Sequence, residues 1–413
     1  MRNSDVLVIG GGLAGLVAAC VAAEKGKKVQ LLTYGAGTLT IGGGIIDAIG
    51  YTDDAKPVAK PSVALANVAE SHPYAKVGKS VVSAAFNAFK KITEAEGYAY
   101  IGELDHNQWI PTAVGTFKPS CLTSKTMDVT VLENAKEVLV VGFDTLKDFY
   151  AHIVAKNLQK FYGDKKSVSE TVVSLNFAGR DVNAMDVARW LDSAEGRNEF
   201  AAQIKDKVKP GMAVVVPPVL GTAPDYKVLE ALEKGLSCKF IEVSAMPPSV
   251  TGYRLRVMLL NYAKKLGVKI IEKAKVTSSH IENGKCEYVV TEGFDRERKY
   301  YAKEFILASG GVFGGGLKAE IGKMVEPVFG LPIPAPTVQT DWSNKNLFSE
   351  EKQLFAQLGV LVNSSLAPVD GEGNELLSNV KVVGRSLAGY DYCFEKSGNG
   401  VAIATAYKAA ISL

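Results

Sequence analysis

Asp5-Val-Leu-Val-Ile-Gly10-Gly-Gly-Leu-Ala-Gly15, continuing through Leu16 to Gly26 and Lys28 to Thr33, is the stretch that decides the fold. Val6 to Ile9 is a short apolar run rich in β-branched residues, as a buried parallel strand requires, and it stops at Gly10. From Leu13 the residues turn to helix formers, Gly26 supplies a left-handed cap, and Val29 to Leu32 reads as a second buried strand. The result is a βαβ unit whose turn carries Gly-x-Gly-x-x-Gly at Gly10, Gly12 and Gly15. Gly10 permits the tight turn, Gly12 lets a pyrophosphate approach the backbone, and Gly15 lets helix and strand pack closely. The helix N-terminus opening at Gly11, Gly12, Leu13 and Ala14 then presents free N–H groups and the positive end of its dipole to phosphate. Val6 to Ala23 carries no charge and so also has the composition of a signal peptide or membrane span. Three consecutive glycines, preceded by Asp5, argue against that reading.

The chain has 413 residues, 47% hydrophobic and 22% charged, enough for two or three domains and a large core. A net charge of +3 with no basic run excludes nucleic acid or an anionic membrane surface as the expected partner. Cys20, Cys121, Cys238, Cys286 and Cys393 are odd in number and never in Cys-x-x-Cys spacing. No disulfide framework, zinc site or iron–sulfur cradle is therefore expected. With no other long apolar span, the expected setting is cytoplasmic and reducing, with any membrane contact made through partners.

Strand two ends at Thr33-Tyr34, where a dinucleotide fold ordinarily places an acid for the adenosine ribose; here there is neither an acid nor a nearby arginine for a 2′-phosphate. A nicotinamide dinucleotide loses both ribose anchors, whereas a flavin tolerates their loss and the absence leaves room for a flavin lacking the adenosine half. Gly37-Thr-Leu-Thr40-Ile-Gly42-Gly43-Gly44 is a small-residue loop able to approach a ring or phosphate with hydroxyl and N–H donors, or else a mobile turn. Residues 51 to 71 read as a connector. His72-Pro-Tyr74 precedes a helix from about Gly78 to Glu96, and 111 to 127 reads as a long polar loop. Beyond it comes an alternation of strand 137 to 142, helix 145 to 162, strand 169 to 177, helices 184 to 208, strand 213 to 216, helix 225 to 235 and strand 238 to 243, an inserted α/β domain.

Ser244 to Arg256 leads into a helix ending at Leu266, a strand at 268 to 272, and a hairpin joined by Asn283-Gly284. Phe305-Ile-Leu-Ala-Ser309-Gly310-Gly311 returns the chain to the first sheet, its glycines passing close to the cofactor. A helix at 349 to 358, a strand at 360 to 362 and Lys381 to Gly389 follow. The last helix opens at Gly398-Asn399-Gly400-Val401, an anion site suited to the N1/O2 edge of a reduced flavin.

Three glycine landmarks in this order resemble the large flavoprotein class that contains fumarate reductase and aerobic glycerol-3-phosphate dehydrogenase. His72-Pro-Tyr74, Thr112-Ala-Val-Gly115, the Phe117 to Met127 loop, Pro217-Pro-Val-Leu-Gly221, Pro247-Pro-Ser249, Gly252-Tyr-Arg-Leu255 and Leu387-Ala-Gly-Tyr-Asp391 resemble the B subunits of anaerobic glycerol-3-phosphate dehydrogenase over nearly the whole chain. That resemblance implies an α/β fold, a Rossmann-type FAD-binding domain with an inserted α/β domain. Residues 1–71, 247–320 and 376–413 are then the flavin-binding segments, 72–246 the inserted cap or docking domain, and 321–375 a crossing segment. It implies a protein with FAD or FMN at the cytoplasmic face of the inner membrane, passing electrons toward quinone. Its implied partners are an A subunit that is the catalytic flavoprotein and a C subunit that holds iron–sulfur centres. None of His72, His106, His152 and His280 adjoins the Gly42 to Gly44 loop, so covalent flavin attachment through histidine is not expected.

Oxidising glycerol 3-phosphate at a flavin takes hydride from C2 while a base takes the hydroxyl proton and cations hold the phosphate. His72, Lys118, Arg254 and Arg256 are the candidates, the arginines as bidentate anion forks. The competing readings are that both arginines are ion-paired on the surface of a first helical turn and that His72 is a loop hydrogen-bonder. Three functional classes stay open: a dehydrogenase with its own pocket, a flavoprotein that serves as relay and assembly element, and a standalone flavin reductase of enoate or ketosteroid type.

Overall fold

Strand β1 (Ser4–Ile9) lies between β2 (Val29–Thr33) and the long strand Arg298–Leu307, parallel to both, with helix α1 (Leu13–Glu24) as the crossover. This is seen in a computed structural model that describes residues 4–177, 179, 181–244, 247–292, 297–346 and 351–413. Every residue of α1 from Leu13 to Ala22 is buried, because the helix packs between the sheet and two others, Val250–Lys265 and Gly398–Ile411. A helix covered on all sides needs no polar face, which accounts for the uncharged run that also fits a membrane span.

Strand Lys269–Glu272 extends the parallel sheet beyond β2, and Val380–Val382 adds to it beside Phe305–Leu307. Arg298–Leu307 serves two partners in succession. Arg298 to Tyr301 pairs antiparallel with the hairpin strand Lys285–Glu292, and the later half runs parallel to β1. The sequence reading caught only the apolar end from Phe305, since the earlier half is polar and partly exposed.

The inserted sheet is parallel throughout, unlike the first: Glu137–Phe143, Ser167–Val173, Ala213–Val216 and Lys239–Glu242 lie in the spatial order second, first, third, fourth. That is a doubly wound arrangement, covered by helices Ala151–Tyr162, Ala184–Asp192, Ala194–Ile204 and Lys227–Leu236. The helix expected from 145 starts at Ala151, because Asp144 turns the strand end by accepting the Leu175 N–H at 3.1 Å. The stretch 184 to 208 divides at Ser193, whose hydroxyl accepts from Gly196 N–H at 2.9 Å and caps a second helix.

Three other expectations differ. Residues 111 to 127 are not an open loop: Gln108–Pro111 pairs with Phe117–Ser120 across a turn closed by Thr112 and Thr116, and Leu122–Ser124 pairs with Tyr100–Gly102. Only Leu354–Gln357 is helical in the 349 to 358 segment, of which 349 and 350 lie outside the described residues, and Val360 and Val362 make isolated bridges. Helix Lys79–Ala95, expected in the inserted domain, packs against Gly398–Ile411 and Val250–Lys265. Its buried residues include Val82, Phe86 and Phe89, and Phe89 meets the Tyr100 ring edge-on at 5.3 Å.

Candidate functional site

A cavity of about 470 Å³ opens over the first glycine turn, walled by Gly10 to Ala14, Tyr34, Gly35, Gly37 and Thr38 on one side. Ser309, Gly310, Gly311 and Phe313 form its floor, and Arg385, Tyr392, Gly398, Asn399 and Ala402 close its far end. The glycines divide by task. Gly10 sits at φ +115°, where a side chain is strained, and a Cβ on Gly15 would overlap the Gly10 carbonyl oxygen. A Cβ on Gly12 would meet no protein atom and would instead stand in the cavity. Gly12 also caps α1 without a side-chain hydrogen bond, and no acid occupies the first turn, so the helix dipole is left for a ligand.

The far end repeats this arrangement. Helix Gly398–Ile411 has no acid in its first turn and no side-chain cap, and the Ser397 hydroxyl is buried without a partner. The Ser309 hydroxyl on the floor is likewise buried and unpartnered. An open cradle at Gly12 and the orphaned Ser309 hydroxyl in the cavity wall are what a polar ligand running from one helix N-terminus to the other would satisfy, and a flavin nucleotide fits.

Of the residues expected to touch cofactor, Gly10, Gly11, Gly12, Leu13, Ala14, Tyr34, Ser309, Gly310, Gly311, Gly398 and Asn399 line the cavity. Gly15, Thr33, Gly400 and Val401 stand one layer behind: the Thr33 hydroxyl donates to Gly35 O at 2.7 Å, and Gly400 N–H donates to Asp47 O at 2.9 Å. Thr40, Gly42, Gly43 and Gly44 are not in its walls. They seat the start of the helix Val250–Lys265, with Ser249 N–H donating to Thr40 O at 2.8 Å and the Thr251 hydroxyl to Gly43 O at 2.8 Å. Gly389 gives close approach to Ser71, where a Cβ would overlap the Ser71 carbonyl oxygen.

The catalytic candidates separate. Arg254 is fully buried and points into the inserted sheet, its Nη1 and Nη2 donating to Glu242 at 2.7 and 2.8 Å and its Nε to Gly221 O at 2.7 Å. Leu220 N–H donates to the same carboxylate at 2.6 Å. Burial opposes its charge, and Glu242 more than offsets this, so the guanidinium is held more firmly protonated than usual. It is ion-paired, as one of the two readings expects, though inside the protein and away from the cavity. Arg256 is not in the cavity walls, and its Nε is buried without a partner. His72 is buried and engaged at both ring nitrogens: Nδ1 accepts from Tyr74 N–H at 3.0 Å and Nε2 faces Glu395 Oε1 at 3.4 Å. Its ring stacks on Tyr74 at 5.1 Å, so it ties the loop to the segment before the last helix.

Lys118 is not in the cavity walls, but its charge acts on a group that sequence reasoning missed. Asp47 has a buried Oδ1 with no hydrogen-bond partner; burial pushes its carboxyl above the usual range, while Lys118, Arg385 and Lys396 pull it back. Arg385 lines the cavity, lies over the Tyr392 ring at 4.6 Å and, among the described residues, forms no ion pair. Neither Asp47 nor Arg385 carries a motif, and only the fold brings them together. Among the described residues no histidine lines the cavity. Toward the turn of the hairpin joined at Asn283-Gly284, His280, Glu282 and Glu287 converge, all exposed, in the manner of surface groups that need no ion.

Fold and site together define a flavoprotein of the Rossmann type, and the chain belongs to the FAD binding domain family, which it matches over residues 5–401. Within that class it belongs with the B subunits of anaerobic glycerol-3-phosphate dehydrogenase. It is 31% identical to the probable B subunit of Halobacterium salinarum, over 98% of this chain and 97% of the relative. It is 29% identical to the B subunit of Aliivibrio fischeri, over 100% of this chain and 95% of the relative. Among solved structures, a 3-ketosteroid Δ1-dehydrogenase from Sterolibacterium denitrificans aligns at a TM-score of 0.47 and 10% identity, over 100% of this chain and 99% of that one. Among the described residues no helix is long and apolar enough to cross a membrane.

Proposed function

We propose that this chain is the flavin-carrying member of a multi-subunit dehydrogenase that oxidises sn-glycerol 3-phosphate to dihydroxyacetone phosphate and passes the electrons toward quinone. The observation that carries this reading is the cavity itself, which runs from the N-terminus of α1 to that of Gly398–Ile411 and ends at Arg385, a cation that forms no ion pair among the described residues. FAD is the flavin it fits. Tyr34, Gly35, Lys275 and Thr277 extend the cavity past β2, where an adenosine half would lie, with Tyr34 and Lys275 taking the place of the missing ribose acid.

Bound there, the flavin supplies a two-electron acceptor for hydride. The glycine turn and the N-terminus of α1 would hold the pyrophosphate, and Gly398 and Asn399 would present N–H groups to the ring edge. Arg385 and Lys118 are the cations suited to an anionic substrate group. The five cysteines are free, and among the described residues none belongs to a metal-holding group. Electron exit through a partner bearing iron–sulfur centres, the C subunit of such a complex, at the cytoplasmic face of the membrane, completes the reading.

A second reading has the flavin relay electrons from a substrate oxidised on the catalytic A subunit. It is favoured by the engagement of His72 and Arg254 in buried bonds. One experiment separates them. The purified chain is denatured and its cofactor chromatographed against FAD and FMN, and the intact protein is titrated anaerobically with glycerol 3-phosphate. FAD release with bleaching by the isolated chain is expected. Bleaching only after the catalytic partner is added makes the chain a relay, and a protein that holds no flavin overturns the proposal.

A further inference from the structure

We infer that Arg385 binds the negatively charged edge of the reduced flavin ring and so favours the reduced over the oxidised cofactor. This rests on the reading of the cavity as a flavin site and is independent of which alcohol is oxidised. The turn Gly384–Ser386 that carries Arg385 is fixed on two sides. Gly384 N–H donates to Thr405 Oγ1 of the last helix at 3.0 Å, and Ser386 Oγ donates to Gly310 O of the cavity floor at 3.0 Å. Gly311 lets the floor come close, since a Cβ there would stand 2.9 Å from the Arg385 carbonyl oxygen.

From that anchored backbone the side chain joins the cavity wall beside Tyr392, its guanidinium over the ring at 4.6 Å. A Cβ on Gly398 would stand 3.2 Å from Nη2 and 3.3 Å from Nε, so the guanidinium lies against the first residue of Gly398–Ile411. This is the positive end of a helix dipole, where acids are favoured and cations are not. The first turn of that helix holds no acid, and among the described residues Lys275, Lys318 and Arg385 line the cavity but no carboxylate does. Nor is Arg385 paired with Asp47 or Glu395: Asp47 Oδ1 meets no donor, and Glu395 Oε1 faces His72 Nε2 at 3.4 Å. A cation and a dipole end of the same sign, pressed together without a counter-charge, repel. Both border the cavity, so the group that completes them is an anion lying in it.

The two helix N-termini in the cavity take different parts of the ligand. Gly12 and α1 suit the pyrophosphate, which is charged in either redox state, whereas the charge that meets Arg385 appears on reduction. Hydride transfer brings two electrons and one proton to the ring, which then carries one negative charge that the oxidised ring lacks. The alcohol, having lost hydride from carbon and its hydroxyl proton to solvent, becomes a carbonyl. A guanidinium and a helix end already aimed at that charge bind the reduced ring more tightly and need no reorganisation when it forms.

The test compares the affinity of the flavin-free protein for FAD with its affinity for FAD reduced by dithionite, both measured anaerobically, and checks the ratio against the reduction potential of the loaded protein by equilibration with a dye. Arg385→Gln should bind oxidised FAD within about threefold of the parent and reduced FAD about 10- to 100-fold more weakly, a potential more negative by about 30 to 60 mV. Arg385→Lys keeps the charge and should recover most of the ratio, which restored packing on Tyr392 alone would not do. Arg385→Met keeps an aliphatic stem on Tyr392 and should behave as Arg385→Gln, so whichever of the two folds decides. A ratio of reduced to oxidised affinity within about threefold of the parent's overturns the inference. That includes variants that only need more glycerol 3-phosphate for half-maximal bleaching, which assigns Arg385 to the substrate alone. A parent that binds neither form of FAD overturns the flavin reading and this inference with it.

Discussion

Gly12 and Gly15 lie three residues apart in one motif and are glycine for opposite reasons. At Gly12 the protein leaves room that a ligand would take, and at Gly15 it leaves none. Gly12→Ala should therefore change the stability of the flavin-free protein by no more than about 0.5 kcal/mol while weakening flavin retention, as thermal melting and cofactor release would show. Gly15→Val should cost about 1–3 kcal/mol or more in the flavin-free protein through overpacking against the Gly10 carbonyl. The motif spacing was enough to assign both roles from sequence. Asp47 was not legible in this way, because its distinction is burial beside residues some 70 and 340 positions away, roughly counted, which no local pattern encodes. Its folded pKa is raised, so the folded state binds the extra proton above the ordinary carboxylate value. Stability contributed through this group is accordingly lost as pH rises through the folded pKa. Asp47→Asn should melt at or above the parent at pH 8, with the gap closing toward pH 5.

At the scale of elements, the helix Val250–Lys265 shows how a correct local assignment can mislead about function. Its presence and its end near Leu266 were readable from sequence, whereas its start is set by Ser249, whose hydroxyl accepts Gly252 N–H at 2.9 Å. The direction of Arg254 was not readable, since it depends on Glu242 lying at the end of a strand of the second sheet. Pro217 to Gly221 and Gly252 to Leu255, two separate motifs in the sequence, meet at this ion pair: the second supplies Arg254, and the first supplies the Leu220 N–H to Glu242 and the Gly221 carbonyl to Arg254. Arg254→Met should destabilise by about 3–5 kcal/mol because it strands a buried carboxylate, and the double change with Glu242→Leu should recover most of that loss. Urea denaturation of the four proteins closes the cycle. The stretch 111 to 127 went unread as strands because its polar composition matched a loop, whereas its pairing is supplied by Tyr100–Gly102 and Gln108–Pro111.

For the whole molecule, the cavity's length decides which flavin stabilises most. If the adenosine half lies along Tyr34 and Lys275, FAD at about a hundredfold its dissociation constant should stabilise the protein by about 2.7 kcal/mol, and FMN at the same concentration by less. Differential scanning of the flavin-free protein with each ligand measures it. One hydrophobic core runs through both sheets, from Val6 and Leu31 to Val140 and Phe240, so the insertion is packed into the flavin half and not tethered to it. By itself the sequence determined the βαβ unit, the glycine turn and the strand–helix alternation of the insertion, because each rests on residues close together in the chain, where periodicity and spacing act, and it carried the family as a resemblance of motifs spread along its length. Only the tertiary structure decided that Thr40 and Gly42 to Gly44 seat a helix and do not wall the cavity, that Arg254 is ion-paired inside the protein, and that Asp47 Oδ1 is buried where the charges of Lys118 and Arg385 act on its carboxyl. Those outcomes depend on burial and on charges meeting across distant segments, and such energies exist only once the chain has packed.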